Sequence, residues 1–221
     1  VTVTGPASKW TNTGNLYVGG DHLGAQGTGT LTVLNGGTVD AGNTLTIWST
    51  GAVYLTSGVN TFQTLDNSHG GIFVHGDGIL TIEGGTFNPG TPDYAVDGPT
   101  QSTLNLTDAT TTLAGTLKVG DAGNATLTVT QGADLSNAAA QIAVQTGSTG
   151  NVLVDGSGST WAVGGSLYVG GSNTGSGGHG DLTVQNRGTV TVNNTLKIWS
   201  TGDFQLSSGT TTCRSFDNSH G

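Results

Sequence analysis

The stretch LYVGGDHLGAQGTGTLTVLNGGTV fills residues 16–39, and LYVGGSNTGSGGHGDLTVQNRGTV fills residues 167–190. In the first, Leu16 and Val18 flank Tyr17, and Leu31 and Val33 flank Thr32. Apolar residues two apart place aliphatic side chains on one face of a strand, with Tyr or Thr on the other. Glycine, Asn and Asp fill the joints, as in Asn35-Gly36-Gly37, where turns need them. The same unit continues at Leu45-Thr46-Ile47, Leu104-Asn105-Leu106, Leu127-Thr128-Val129 and Leu196-Lys197-Ile198. No helical stripe interrupts it, so the chain reads as short strands and turns.

The two stretches belong to a longer repeat. Residues 1–70 recur as residues 152–221 at a constant offset of 151, and 38 of the 70 aligned positions are identical. Trp10 returns as Trp161, and Ile47-Trp48-Ser49-Thr50-Gly51 returns as Ile198-Trp199-Ser200-Thr201-Gly202. Asp66-Asn67-Ser68-His69-Gly70 returns unchanged as Asp217-Asn218-Ser219-His220-Gly221. A closed barrel cannot be extended by copying such a block, whereas a stacked coil can. The pattern predicts an all-β chain folded as a right-handed parallel β-helix, a β-solenoid, in one elongated rod over residues 1–221. At roughly 20–25 residues per coil it predicts about 9–11 coils, with the offset spanning a whole number, six or seven.

Residues 71–151 are a divergent middle segment. Three of the four prolines (Pro89, Pro92 and Pro99) crowd residues 88–100. Proline cannot donate to a sheet ladder, so this stretch is predicted to loop out from the rod.

Composition narrows the function classes. Glycine is 40 of 221 residues, against a usual ~7%, and charged residues are 9%, against a usual ~25%. The net charge is −9, and the five basic residues are scattered rather than clustered. A nucleic-acid binder needs concentrated positive charge, so nucleic acid is excluded as a partner. No apolar run is long enough to span a membrane, so no membrane insertion of this segment is expected. The absence of Met, even at position 1, reads as a processed or excerpted segment. The one cysteine, Cys213, aligns with Phe62 and reads as a small apolar core group.

The motif Leu-x-Val-Gly-Gly, a Gly-rich spacer, Gly-x-Leu-x-Val and Gly-Gly-x-Val at residues 16–39 is repeated at 167–190, with Arg187 in place of one glycine. Together with Gly-Ser-x-Trp at residues 158–161, it resembles the autotransporter/PEP-CTERM-associated repeat. The resemblance covers most of residues 1–56 and 112–207. It implies a secreted or surface-anchored bacterial protein with a β-helical body, and it implies little about activity.

The candidate sites are sparse. The Asp-Asn-Ser-His-Gly pentapeptides hold the letters of a hydrolytic triad, but adjacent residues on one turn rarely converge as nucleophile, base and orienter. They read as turns held by Asx and Ser bonds. Asp21, Asp77, Asp93, Asp97 and Asp121 fall at predicted turns, and Asp93 with Asp97 is the best local pair for a polysaccharide-active site. Gly120-Asp121-Ala122-Gly123-Asn124 matches a calcium-roll repeat only in part, and His22, His75 and His179 have no metal-ligand spacing. No catalytic residue, metal or cofactor is assigned on these grounds. Tyr17, Trp48, Tyr168 and Trp199 alternate away from the core and are candidates for lateral packing or glycan contact. Trp10 and Trp161 read as corner plugs.

The terminal strands carry the remaining candidates. Open solenoid ends present unpaired backbone groups and apolar ladder ends, and no polar cap is evident in the sequence. Self-association is therefore assigned to Val1, Thr2, Val3 and Thr4 at one end. At the other it is assigned to Thr211, Thr212, Cys213, Arg214, Ser215 and Phe216. The resulting expectation is an extracellular or cell-surface bacterial structural protein that partners itself head to tail in a fibre or biofilm matrix, with surface glycans as a second partner class. An adhesin stalk and a polysaccharide-active enzyme are the alternatives.

Overall fold

The computed structural model describes residues 1–220; Gly221, the last residue of the repeat, lies outside the described residues. Among these residues every regular element is a strand. The strands pair in parallel from coil to coil, and the one antiparallel strand pair is the small excursion of Gly20–Asp21 against Gly24–Ala25. The chain is thus a β-solenoid of about 8 turns. Fewer coils form than the sequence suggests because the Gly-rich spacers lengthen a coil without starting a new one. Ladder steps run from 20 residues (Phe62 to Ile82) to 30 residues (Leu153 to Thr183).

The period-two pattern places the core as predicted. Leu16 and Val18 are buried on either side of half-buried Tyr17. Leu80, Leu104, Leu127, Val152 and Leu182 stack as one inward column through five successive coils. Each fully buried aliphatic side chain contributes roughly 1.5–3 kcal/mol. The Leu-x-Val-Gly motif has a steric reason. Gly19 sits at φ +83°, and a Cβ there would lie 2.3 Å from the Gly51 nitrogen of the next coil. Gly170 repeats this at φ +77°, 2.4 Å from the Gly202 nitrogen.

The two copies do not stack in phase. From Trp10 the ladder runs through Val39, Asn60, Leu80, Leu104 and Leu127 to Val152. Six coils therefore advance 142 residues, and nine more are needed to reach Trp161. The cause is local. Residues 59–62 of strand Val59–Asp66 pair with Gly78–Glu83, while Leu65 and Asp66 pair with Phe87–Asn88. Above this point Gly78–Glu83 continues into Ser102–Thr107, and Thr86 bridges to Thr110. Each strand is handed to the neighbouring face of the rod. The repeat offset is therefore six coils plus one face, not a whole number of coils.

The slip leaves a seam. Strand Ile72–His75 pairs only with Gly51–Leu55 below, and Tyr94–Val96 pairs only with Thr110–Val119 above. Ile72 and Val74 are 54% and 40% exposed at this edge. The inward residues close it from inside. Phe87 packs edge-on to Phe73 and Tyr94, with centroids 6.2 and 5.1 Å apart. His75 Nδ1 lies 3.2 Å from the Tyr94 hydroxyl. The Pro-rich stretch is part of this wall rather than a protruding loop: Val96 is fully buried, and Asn67 Nδ2 donates to the Pro89 carbonyl. Its prolines fall outside the strands, where no ladder donor is required.

Candidate interaction surfaces and side-chain clusters

The duplicated Trp and the duplicated pentapeptide meet in space. His69 lies against Trp48 with centroids 4.0 Å apart, and His220 against Trp199 at 5.1 Å. Each indole also donates from Nε1 to a backbone carbonyl, Trp48 to Asp21 and Trp199 to Ser172. These tryptophans are half-buried with a partner on the ring, so they hold corners together more than they offer a free platform. In the second copy Thr46 is replaced by Lys197, whose Nζ sits 4.3 Å over the Trp199 ring and 2.6 Å from Asp217 Oδ2. That bond holds the Asp217 carboxyl well below the usual carboxylate range, with Ser219 bonds adding to it. The pentapeptides are Asx turns: the Ser68 and Ser219 amides donate to Asp66 and Asp217. Ser219 Oγ also donates to Asp217, so the aspartate serves the turn rather than orienting an imidazole for general base work.

The other predicted turn acids are spent on backbone amides. Asp77 accepts from the Thr100 and Gln101 amides, Asp93 from Thr116, and Asp97 from Ala122 and Gly123. Each of these bonds reaches the next coil. Asp121 is held by Lys118 at 3.1 Å. Asp93 and Asp97 thus cap separate turns. Above Ala95 the outward ladder carries Lys118, Gln141, Tyr168 and Lys197, and a shallow recess of about 410 Å³ lies between Asp93, Lys118, Asp121 and Gln141.

Trp161 is no corner plug. It is 1% exposed within strand Thr160–Val163, between Leu135 and Val190 on the ladder, and its Nε1 donates to Asn137 Oδ1 at 2.7 Å. Trp10, one coil from the chain start, is only half-buried.

At the first coil, Thr2–Thr4, Lys9–Asn12 and Leu16–Val18 each pair on one side only. Val3, Leu16 and Val18 are nearly buried, Val1 is exposed, and Val1, Trp10, Leu16 and Leu31 line a hollow of about 280 Å³. At the last coil, Gly202–Ser207 and Thr210–Asp217 also pair on one side. Leu206 is 50% and Phe216 54% exposed, directly in line with buried Val184 and Leu196. Cys213 is free and half-buried, in line with Val192, because no coil covers it as one covers Phe62.

One cluster was missed from the sequence. The donor atoms of His179, Asp181 and Asp203 all lie within 4.8 Å of one another. His179 and Asp181 are two apart on strand His179–Gln185, and Asp203 is the ladder partner of Asp181. The signal was the His-x-Asp alternation, and what hid it was that the third member lies a full coil away.

No helix of the described residues is long and apolar enough to cross a membrane. No family model, curated protein or solved structure matches the chain. The resemblance to the autotransporter/PEP-CTERM-associated repeat rests on the motif alone.

Proposed function

We propose that the chain is a structural β-solenoid of a bacterial cell surface or extracellular matrix, and that it propagates by stacking coil on coil with further copies of itself. The observation that carries this reading is the face of the last coil, where Leu206 and Phe216 continue the buried columns of Val184 and Leu196 into solvent. Apolar ladder ends beside unpaired N–H and C=O groups are a template for another strand layer. The first-coil hollow bounded by Val1, Trp10 and Leu16 is an apolar seat for such side chains. The contact is heterologous, so it generates an open filament rather than a closed dimer. Acids that cap turns, and indoles that close corners, fit a role in shape rather than in chemistry.

Electron microscopy and sedimentation of the purified chain test this. The expected result is filaments of rod diameter that disappear in Leu206→Lys and Phe216→Lys. Short single rods that persist at high concentration sink the proposal. The adhesin reading draws on the Lys118–Gln141–Tyr168 column beside its recess; it expects saturable binding to a glycan array, lost in Tyr168→Ala.

A further inference from the structure

We propose that His179, Asp181 and Asp203 form a site for a divalent first-row transition cation that clamps strand Gly202–Ser207 onto strand His179–Gln185. The donor set is one imidazole and two carboxylates, and their donor atoms already lie within 4.8 Å of one another on a single outward face. His179 Nε2 lies 3.4 Å from Asp181 Oδ2. Imidazole suits zinc-like cations, and two hard oxygens complete a set of three with the solvent side open.

Two further observations point the same way. First, Asp181 and Asp203 are the one pair of carboxylates placed directly opposite each other in the strand registers, an arrangement that repels. Elsewhere the rod resolves such positions: Asp217 stands opposite Lys197 and binds it. Among the described residues Asp203 makes no hydrogen bond or ion pair, so its lone pairs are free, unlike those of Asp77, Asp93 and Asp97. The ladder neighbour below Asp181 is Asn151, which adds an oxygen donor and no positive charge.

Second, the internal repeat supplies its own control. The positions of His179, Asp181 and Asp203 correspond to Thr28, Thr30 and Ala52 in the first copy. All three donors are present together in one copy and absent together in the other. They lie within one coil and its neighbour, where 38 of 70 positions are otherwise unchanged. Three separate differences that converge on one point in space fit a ligand better than drift of a solvated surface.

The test is calorimetric titration of EDTA-stripped protein with zinc chloride, with calcium chloride in parallel. The expected result is one zinc per chain and no comparable calcium binding. Asp203→Asn should weaken zinc binding by more than the roughly 10–100-fold that follows loss of an outer-sphere partner. The triple variant His179→Thr, Asp181→Thr, Asp203→Ala restores residues with which the first copy folds, and it should take up no zinc. Zinc uptake retained by the triple variant, absence of one-to-one uptake by the parent chain, or calcium binding as tight as zinc overturns the assignment.

Discussion

His69 stacks on Trp48 from the following coil, with ring centroids 4.0 Å apart, and the same contact recurs between His220 and Trp199 at 5.1 Å. The pair links a strand end on one coil to an Asx turn on the next. Trp48→Ala should destabilise the rod by about 2 kcal/mol, since a half-buried indole and its Nε1 bond to Asp21 are both lost. His69→Ala should cost about 1 kcal/mol. Denaturant titration of the two single variants and the double variant measures the coupling. Strictly additive losses would show that the rings merely lie near each other.

Gly19→Ala should be severely destabilising, by about 3 kcal/mol or more, because it combines positive φ with a Cβ 2.3 Å from the Gly51 nitrogen. Gly14→Ala, with open space around the new Cβ and no positive φ, should change stability by less than about 0.5 kcal/mol. Thermal unfolding of both variants checks the contrast, and equal effects would remove the close-approach explanation for the Leu-x-Val-Gly motif.

Stability should fall on mild acidification, and His75 should be a main source. Burial lowers its pKa from 6.5 to about 4, opposed in part by a backbone hydrogen bond at Gly78. The unfolded chain therefore takes up this proton first as pH drops. The contribution is complete above pH 6.5, declines between 6.5 and 4, and amounts to about 3 kcal/mol at most. Tyr94, beside it, stays protonated throughout, since burial pushes its hydroxyl well above the ordinary range. Melting curves at pH 7.5 and 4.5 should differ much less in His75→Phe than in the parent chain. An unchanged difference would assign the acid sensitivity to other groups.

Asp97→Ala should cost about 1–3 kcal/mol, because the Ala122 and Gly123 amides lose their acceptor. Asp97→Asn keeps an oxygen and should cost less. Neither change should affect glycan cleavage by the chain in an assay of product release. Cleavage that is present and then lost in Asp97→Asn would revive the enzymatic alternative.

The period-two face was legible in the sequence because burial decides it locally: Leu16, Val18, Leu31 and Val33 announce their side without help from any other coil. Turn roles were legible for the same reason, and Asp66 and Asp217 sit where short-range Asx bonding puts them. What depended on the neighbouring coil was hidden. Nothing near Asn60 says that it pairs with Leu80 rather than with a residue of its own face. Asp203 sits one coil from His179, so no short spacing advertises the cluster. Trp161 looked like a corner because of the Gly-Ser-x before it, yet its indole found a buried acceptor in Asn137, 24 residues earlier. The prolines misled in the other direction. They bar a residue from donating to a ladder, but the segment around them still lies along the wall.

The handover of each strand to the next face turns a translational repeat into a screw. One 151-residue block corresponds to six coils and a further third of a turn about the axis. Features at equivalent positions, such as the Trp48 and Trp199 corners, therefore point in different directions. Three such blocks return a feature to its original face after about 19 coils, or about 90 Å at ~4.8 Å per coil. A longer array of this repeat would carry its corners as a slow spiral stripe, offering the same contact to neighbours all around the rod instead of along a single side.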